Sequence, residues 1–196
     1  MTLKELNIIN FKNIAEATLT FTSGFNCFVG NNGVGKTNVL DAIYHLSMCK
    51  SYFNLPDLQN IRHEEPFFVV QGKYERGGEE LTVYCGVKRG KNQKAYDKLS
   101  EHIGLIPLVM ISPEDFILID GGSEERRKLV DGIISQCDRV YLHRLIRYNK
   151  ALTQRNMLLK SAAGKFLDPE MLEVWNEQLA EHGEAIRQKR IAFLKE

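Results

Sequence analysis

The chain lacks a long apolar run, closely spaced cysteines, an appreciable net charge and any internal repeat. Its longest apolar stretch, Ile103 to Ile111, is interrupted by Pro107 and falls well short of the roughly 20 residues that a membrane-spanning helix needs. The opening residues Met1-Thr2-Leu3-Lys4-Glu5 turn polar at once, so no secretory leader is expected. Cys27, Cys49, Cys85 and Cys137 lie far apart with no Cys-x-x-Cys pair, which argues against a disulfide framework and against a zinc site. His45, His63, His102, His143 and His182 show no metal-ligand spacing either. These absences together point to a soluble, cytoplasmic protein with reduced thiols. A formal net charge of +1 gives no global sign of a nucleic-acid partner, so any such signal has to be local.

What is present is a globular composition, 43% hydrophobic and 26% charged, and one sharp motif. Gly30-Asn31-Asn32-Gly33-Val34-Gly35-Lys36-Thr37 fits the Gly-x-x-x-x-Gly-Lys-Ser/Thr pattern of a nucleotide-binding P-loop. The glycines let backbone N–H groups curl around a phosphate chain without Cβ clashes. The loop then opens a helix, whose first N–H groups and dipole favour an anion. Lys36 is the candidate catalytic residue, a point charge for the β- and γ-phosphates, and Thr37 offers a hydroxyl to nucleotide-bound Mg²⁺. The flanks agree with the motif: Phe25 to Val29 reads as a buried strand feeding the loop, and Val39, Leu40, Ile43, Leu46 and Met48 follow at near-helical spacing. The alternative is a chance glycine-rich turn before a helix.

Lys4 to Asn10 and Ala17 to Phe21 read as two strands ahead of the P-loop strand. That order suits an α/β head of the ABC type, an SMC-like P-loop ATPase fold with antiparallel strands. Phe67–Gln71 and Leu81–Val87 form a hairpin about Gly77-Gly78, with Lys88, Arg89, Lys91, Lys94 and Lys98 at its far end. Leu105 to Ile111 reads as another buried strand. From Glu124 glycine thins and apolar residues fall at helical spacing, with Tyr141, Leu145, Tyr148, Leu152 and Leu159 on one stripe. A second helical run starts near Pro169, a favoured first-turn residue, and passes Trp175, expected in its core, to Leu194. Two units are therefore expected, a nucleotide head at 1–123 and part of a helical arm at 124–196.

One part of a P-loop ATPase is missing. An apolar strand ending in Asp holds the Mg²⁺ water shell, and a neighbouring Glu orients the attacking water. The best candidate, Leu108-Val109-Met110-Ile111, ends in Ser112, with Glu114 and Asp115 displaced beyond Pro113. Asn149-Lys150 lacks the Asp of a guanine-reading motif, with Leu152 in its place. The nucleotide site reads as half built, and the uncapped end at Glu196 is expected to be that of a fragment.

Several stretches together resemble the RecF family, over essentially all 196 residues. They are Phe11-Lys12-Asn13; Gly24 through Leu46; Ile61-Arg62-His63; Ser112-Pro113-Glu114 through Gly121-Gly122 to Arg126-Arg127 and Asp131; and Tyr148 to Leu152 with Gln154-Arg155-Asn156. The P-loop is shared by many families, and the Pro-Glu…Gly-Gly…Arg-Arg…Asp stretch is the specific part. Ser123 and Leu129 depart from the usual Pro and aromatic, as packing changes. The resemblance implies the N-terminal half of an ABC-type ATPase, with the acidic strand and signature motif in a second half. It further implies ATP and Mg²⁺ as cofactors and a homodimer formed around ATP. The implied partners are gapped duplex and single-stranded DNA, with RecO and RecR assisting RecA loading in replication, repair and the SOS response. Weak DNA-stimulated ATPase activity is implied for the intact protein, and none for this fragment.

Other readings remain beside these. Lys12-Asn13 falls where related heads place a polar residue near the phosphates, but a solvated strand exit has the same look. Ser112-Pro113-Glu114 stands where ABC heads carry a glutamine loop, but lacks Gln and reads as a turn. Arg126-Arg127 suits DNA phosphate less well than pairing with Glu124, Glu125 or Asp131. Between Arg126 and Lys160 nine basic residues face only Asp131 and Asp138. Arg139, Arg144, Arg147, Lys150 and Arg155 are the candidate DNA contacts, unless the face is simply solvated. A small-molecule P-loop kinase, with the arm's arginines as a lid, is the alternative function.

Overall fold

The computed structural model of the chain describes residues 1–53, 55–89, 99–162 and 169–195. By packing the chain divides into two compact units, Met1–Met110 and Ile111–Glu196. Each is considered by itself.

The first unit is built on a four-stranded antiparallel sheet of order β2-β1-β3-β4. Strands β1 (Thr2–Phe11) and β2 (Ile14–Thr20) precede the P-loop, while β3 (Phe67–Arg76) and β4 (Glu79–Lys88) follow it. Period-two alternation sets the sheet's faces. Leu6 and Ile8 of β1, Phe68 and Val70 of β3, and Val83 and Cys85 of β4 are buried on one face. Ile8 lies opposite Val70, and Val70 opposite Cys85. The β3–β4 turn is Gly77-Gly78, both at positive φ (62° and 88°), as a two-residue hairpin turn that matches strand twist requires.

Helix α1 (Lys36–Met48) covers the apolar face with Val39, Ala42 and Leu46. Its approach is close. A Cβ on Gly72 would lie 2.7 Å from the Tyr74 ring and 2.8 Å from Leu46, so only glycine fits where the helix presses on β3. The connection after α1 returns to the sheet. Ile61 bridges Phe11, and the Arg62 N–H donates to Asn10 O at 2.8 Å. A short helix, α2 (Leu99–His102), meets α1 where His102 Nε2 lies 2.5 Å from Leu46 O, and in the segment after it Ile106 O accepts from the Ser47 hydroxyl at 2.6 Å.

Two expected strands do not form. Residues 25–29 run as irregular chain with Phe25 and Val29 exposed, and residues 105–111 end with Val109 and Ile111 exposed. A strand exists only by pairing, and no described strand offers either segment a ladder. Of the basic cluster expected beyond the hairpin, Lys91, Lys94 and Lys98 lie outside the described residues.

The second unit is helical: α3 (Ile117–Asp120), α4 (Ser123–Cys137), α5 (Arg139–Ser161) and α6 (Pro169–Phe193). Ser112-Pro113-Glu114 forms the head of a 3-10 turn, with a capping box between Ser112 and Asp115. This segment was expected with the head and packs instead with the helices after it. Arg126 donates to the carbonyls of Leu118 (3.2 Å) and Gly121 (3.0 Å), so it holds the α3 exit rather than pairing with an acid. Ile134, Tyr141 and Ile186 form the core, with Leu145 and Tyr148 against it. Asp131 joins α4 to α6 through a two-pronged pair with Arg190, both contacts 2.7 Å, and also accepts from the Tyr141 hydroxyl. The apolar stripe of α5 loses burial toward its end, where Leu152 and Leu159 are exposed. Trp175, expected in the core, is half-buried. Among the described residues no helix is long and apolar enough to cross a membrane.

Asp138 caps α5 by accepting from the Tyr141 N–H at 2.9 Å, and Lys189 lies 2.9 Å from its other oxygen. That N–H, and then Lys189, hold its carboxyl below the usual aspartate range. A depressed pKa contributes stability that is complete above the ordinary value of about 3.9 and fades as pH falls through the lower, folded value. Asp138→Ala is therefore expected to cost about 1 kcal/mol at neutral pH, measured by denaturant unfolding, and the gap to wild type should narrow in acid.

Candidate functional site: a phosphate cradle anchored by Lys12 and Asn13

The P-loop runs from Gly30 to Gly35 and delivers the chain into α1 at Lys36. Gly33 and Gly35 have φ of 82° and 107°, in the left-handed region that penalises side chains. Gly35 is also sterically reserved, since a Cβ there would meet Asn13 Oδ1 at 2.9 Å. No side chain caps the start of α1, and no acidic residue occupies its first turn. Its leading N–H groups thus face the loop without a competing carboxylate.

Lys36 folds back into the loop. Its ammonium donates to Gly30 O at 2.8 Å and Asn31 O at 2.7 Å, which centres a cation inside the ring of backbone. Thr37, the next residue, is exposed with Asn31, Asn32, Gly33 and Val34. The Thr37 hydroxyl at the loop's rim is the donor set's natural oxygen ligand for a hard divalent cation such as Mg²⁺.

Asn13 and Lys12, adjacent in the β1–β2 turn, part company. Asn13 joins the cradle: its Nδ2 donates to Gly33 O at 2.8 Å, and Asn38 Nδ2 donates to Asn13 Oδ1 at 2.7 Å. One amide thereby fixes the loop to the first turns of α1. Lys12 turns the other way. Its ammonium lies 2.5 Å from Asp41 on α1, a carboxylate with no solvent exposure. Asp41 also accepts from Ser51 Oγ (2.8 Å) and the Tyr52 N–H (2.7 Å), and the Phe53 ring covers the lysine at 4.8 Å. Lys12 reaches this position with φ 53°, an uncommon conformation for a side-chain-bearing residue. It grips the P-loop helix rather than facing the loop.

Sequence reasoning gave no site role to Asn38 or Asp41. The two are three residues apart on one face of α1 and meet the β1–β2 turn through Asn13 and Lys12, a relation that no local pattern reports. It also passed over an open groove beside Asn13, lined in part by Lys12, Ile61, Arg62, His63 and Arg89. Close by, the buried His45 stands edge-on to Phe11 and Phe68, and burial lowers its pKa so that it stays neutral. Cys49, Cys85 and His102, which no sequence spacing connects, also converge.

The candidate DNA contacts separate on α5. Arg139, Arg147 and Lys150 are exposed, with His143 on the same side. Arg144 and Arg155 are half-buried, and Arg155 Nε donates to Asn176 Oδ1 on α6 at 2.8 Å. Arg127 is tied to Ser123 at 2.7 Å.

A family profile described as "AAA ATPase domain" matches residues 1–128. The chain belongs to the AAA ATPase domain family. Within it, the chain is similar to the DNA replication and repair protein RecF of Phocaeicola vulgatus, 54% identical over all of this chain and 54% of that protein. RecF of Flavobacterium johnsoniae is 51% identical over all of this chain and 56% of its own length. The chain thus spans about half the length of the curated relatives it matches. Among solved structures, the recombination mediator RecF with ATP superposes with a TM-score of 0.89 at 34% identity, over 98% of this chain and 54% of that one. An SMC ATPase matches with a TM-score of 0.53 at 19% identity, over 68% of this chain and 99% of that one, which bears on fold alone. The likeness to RecF expected from the sequence is present along the whole chain, and the SMC-like head fold is the one found.

The buried Lys12–Asp41 pair makes a prediction for stability. Lys12→Ala leaves Asp41 uncompensated, and a loss of about 3–5 kcal/mol is expected in denaturant unfolding. Replacing both partners by apolar residues (Lys12→Met with Asp41→Leu) is expected to recover most of it. Single and double variants of equal stability would contradict the clamp.

Proposed function

We propose that this chain is the nucleotide-gripping part of a RecF-type DNA repair ATPase. The observation that carries the reading is the cradle itself. It combines left-handed glycines, an uncapped helix start, and a lysine held at the loop's centre by carbonyls that a phosphate can replace. Similarity to RecF proteins, including one solved with ATP, supports ATP as the nucleotide.

In this reading Lys36 exchanges Gly30 O and Asn31 O for the β- and γ-phosphate oxygens, and Thr37 would hold a nucleotide-bound Mg²⁺ through its hydroxyl. The cation supplies charge neutralisation between phosphates. Asn13 keeps Gly33 in place, and the Lys12–Asp41 pair keeps α1 in place, so the N–H donors are preorganised before nucleotide arrives. Arg62 and Arg89 line the adjacent groove and extend the positive field beside the loop. The acidic residues that hydrolysis requires are expected from sequence beyond this chain, so binding rather than turnover is its own task.

By the same resemblance, ATP closes a homodimer that holds gapped or single-stranded DNA in the cytoplasm. RecO, RecR and RecA are the proteins it serves in replication, repair and the SOS response. The exposed basic face of α5 is the DNA contact proposed here, through Arg139, Arg147 and Lys150. Arg144 and Arg155 act in packing.

Two experiments test the reading. Equilibrium dialysis with ATP and Mg²⁺ should give saturable binding to the chain that Lys36→Met removes; undiminished binding by the variant would overturn the cradle. Changing Arg139, Arg147 and Lys150 together to Gln should weaken DNA binding and reduce the slope of log affinity against log salt by about 2–3. An unchanged slope would move DNA contact off this face.

A further inference from the structure

Three side chains far apart in sequence meet at the end of α1 remote from the phosphate loop. Cys49 is the residue that ends α1, in a left-handed conformation (φ 51°). Cys85 lies in β4 on the buried face of the sheet, opposite Val70. His102 is the last residue of α2 and is 1% exposed. The two sulfurs are 3.8 Å apart, and both lie within 4.8 Å of a His102 ring nitrogen.

We propose that Cys49, Cys85 and His102 form a zinc site. Three geometric facts favour it. A tetrahedral Zn²⁺ with bonds of about 2.3 Å to sulfur holds its thiolates about 3.8 Å apart, the separation present here. The second is the orientation of the imidazole. His102 Nε2 lies 2.5 Å from Leu46 O in the last turn of α1, and a carbonyl only accepts, so the ring proton is on Nε2. The lone pair is then on Nδ1. A histidine ligand that gives its other N–H to a backbone carbonyl is the usual outer-sphere arrangement at zinc. The third is that the ligand atoms of all three residues lie within 4.8 Å of one another, so ligand is turned toward ligand.

The ligands come from a helix end, the edge strand β4 and a following helix, so the fold supplies the site and no short spacing announces it. Cys49 is only half-buried, which leaves a side from which solvent completes the fourth position. Binding requires both thiols to give up their protons to solvent, with no change of oxidation state. A disulfide is the competing use of the pair. It would have to draw the sulfurs in to about 2.05 Å and would leave the orientation of His102 without a purpose. A metal here ties α1 to β4 and α2 at one end of the helix whose other end carries the phosphate cradle.

The test is cobalt titration of the reduced, metal-stripped chain in the absence of oxygen. Thiolate-to-cobalt charge-transfer absorption and tetrahedral d–d bands are expected, saturating at one ion per chain and displaced by Zn²⁺. Cys49→Ser, at the half-buried ligand, is expected to weaken binding about tenfold or more and to lower the charge-transfer intensity while circular dichroism is unchanged. His102→Gln should weaken binding with the thiolate bands kept. Absence of the bands in the wild-type chain would overturn the site. So would titration curves for Cys49→Ser and Cys85→Ser that match wild type, or recovery of a Cys49–Cys85 disulfide in a chain that takes up no cobalt.

Discussion

The structure of the first unit depends on one buried ion pair. Lys12 and Asp41 join the exit of β1 to the second turn of α1, and the carboxylate is fully shielded from water. Two charges in such a place are tolerable only when their remaining hydrogen-bonding capacity is met. Here Ser51 and the Tyr52 N–H meet it, and the Phe53 ring lies over the lysine. The chain after α1 is thus recruited by the same pair that seats the helix. The neighbouring residue, Asn13, holds Gly33 and is held by Asn38. A single turn between two strands therefore positions both the phosphate loop and the helix it opens, and Lys36 is the part left to move.

Local chemistry was legible in the sequence, and long-range pairing was not. The hairpin could be read because Gly77-Gly78 carries the two positive φ values that its turn needs. The P-loop could be read because its glycines and lysine serve a ligand rather than a tertiary partner. The segments 25–29 and 105–111 read as strands from composition alone, yet strand formation depends on a ladder partner that the described sheet does not give them. Lys12 and Asn13 read as one polar pair near phosphates. Positive φ at Lys12 sends its side chain to Asp41, while Asn13 goes to the loop. Nothing in the order of residues announces that split. The same limit applies to Cys49, Cys85 and His102, which converge only because α1, β4 and α2 pack together.

In the second unit, charge count and charge availability differ. The excess of basic residues on α5 looked uniform in sequence, but packing of α5 on α6 divides it. Arg155 is engaged with Asn176, and Arg144 is half-buried, whereas Arg139, Arg147 and Lys150 remain in water. Arg190, Asp131 and Tyr141 form a separate polar knot that ties α4, α5 and α6. Arginines in this unit thus serve two ends, packing and surface potential, and only burial tells which.

The most direct test of this account is a crystal structure of the chain with ATP and Mg²⁺. The β- and γ-phosphates are expected within the 30–37 loop, with the Lys36 ammonium moved from Gly30 O and Asn31 O onto phosphate oxygens. The contacts of Asn13 with Gly33 and of Lys12 with Asp41 should be unchanged. Nucleotide bound elsewhere, or a cradle that closes only after Lys12 leaves Asp41, would contradict it.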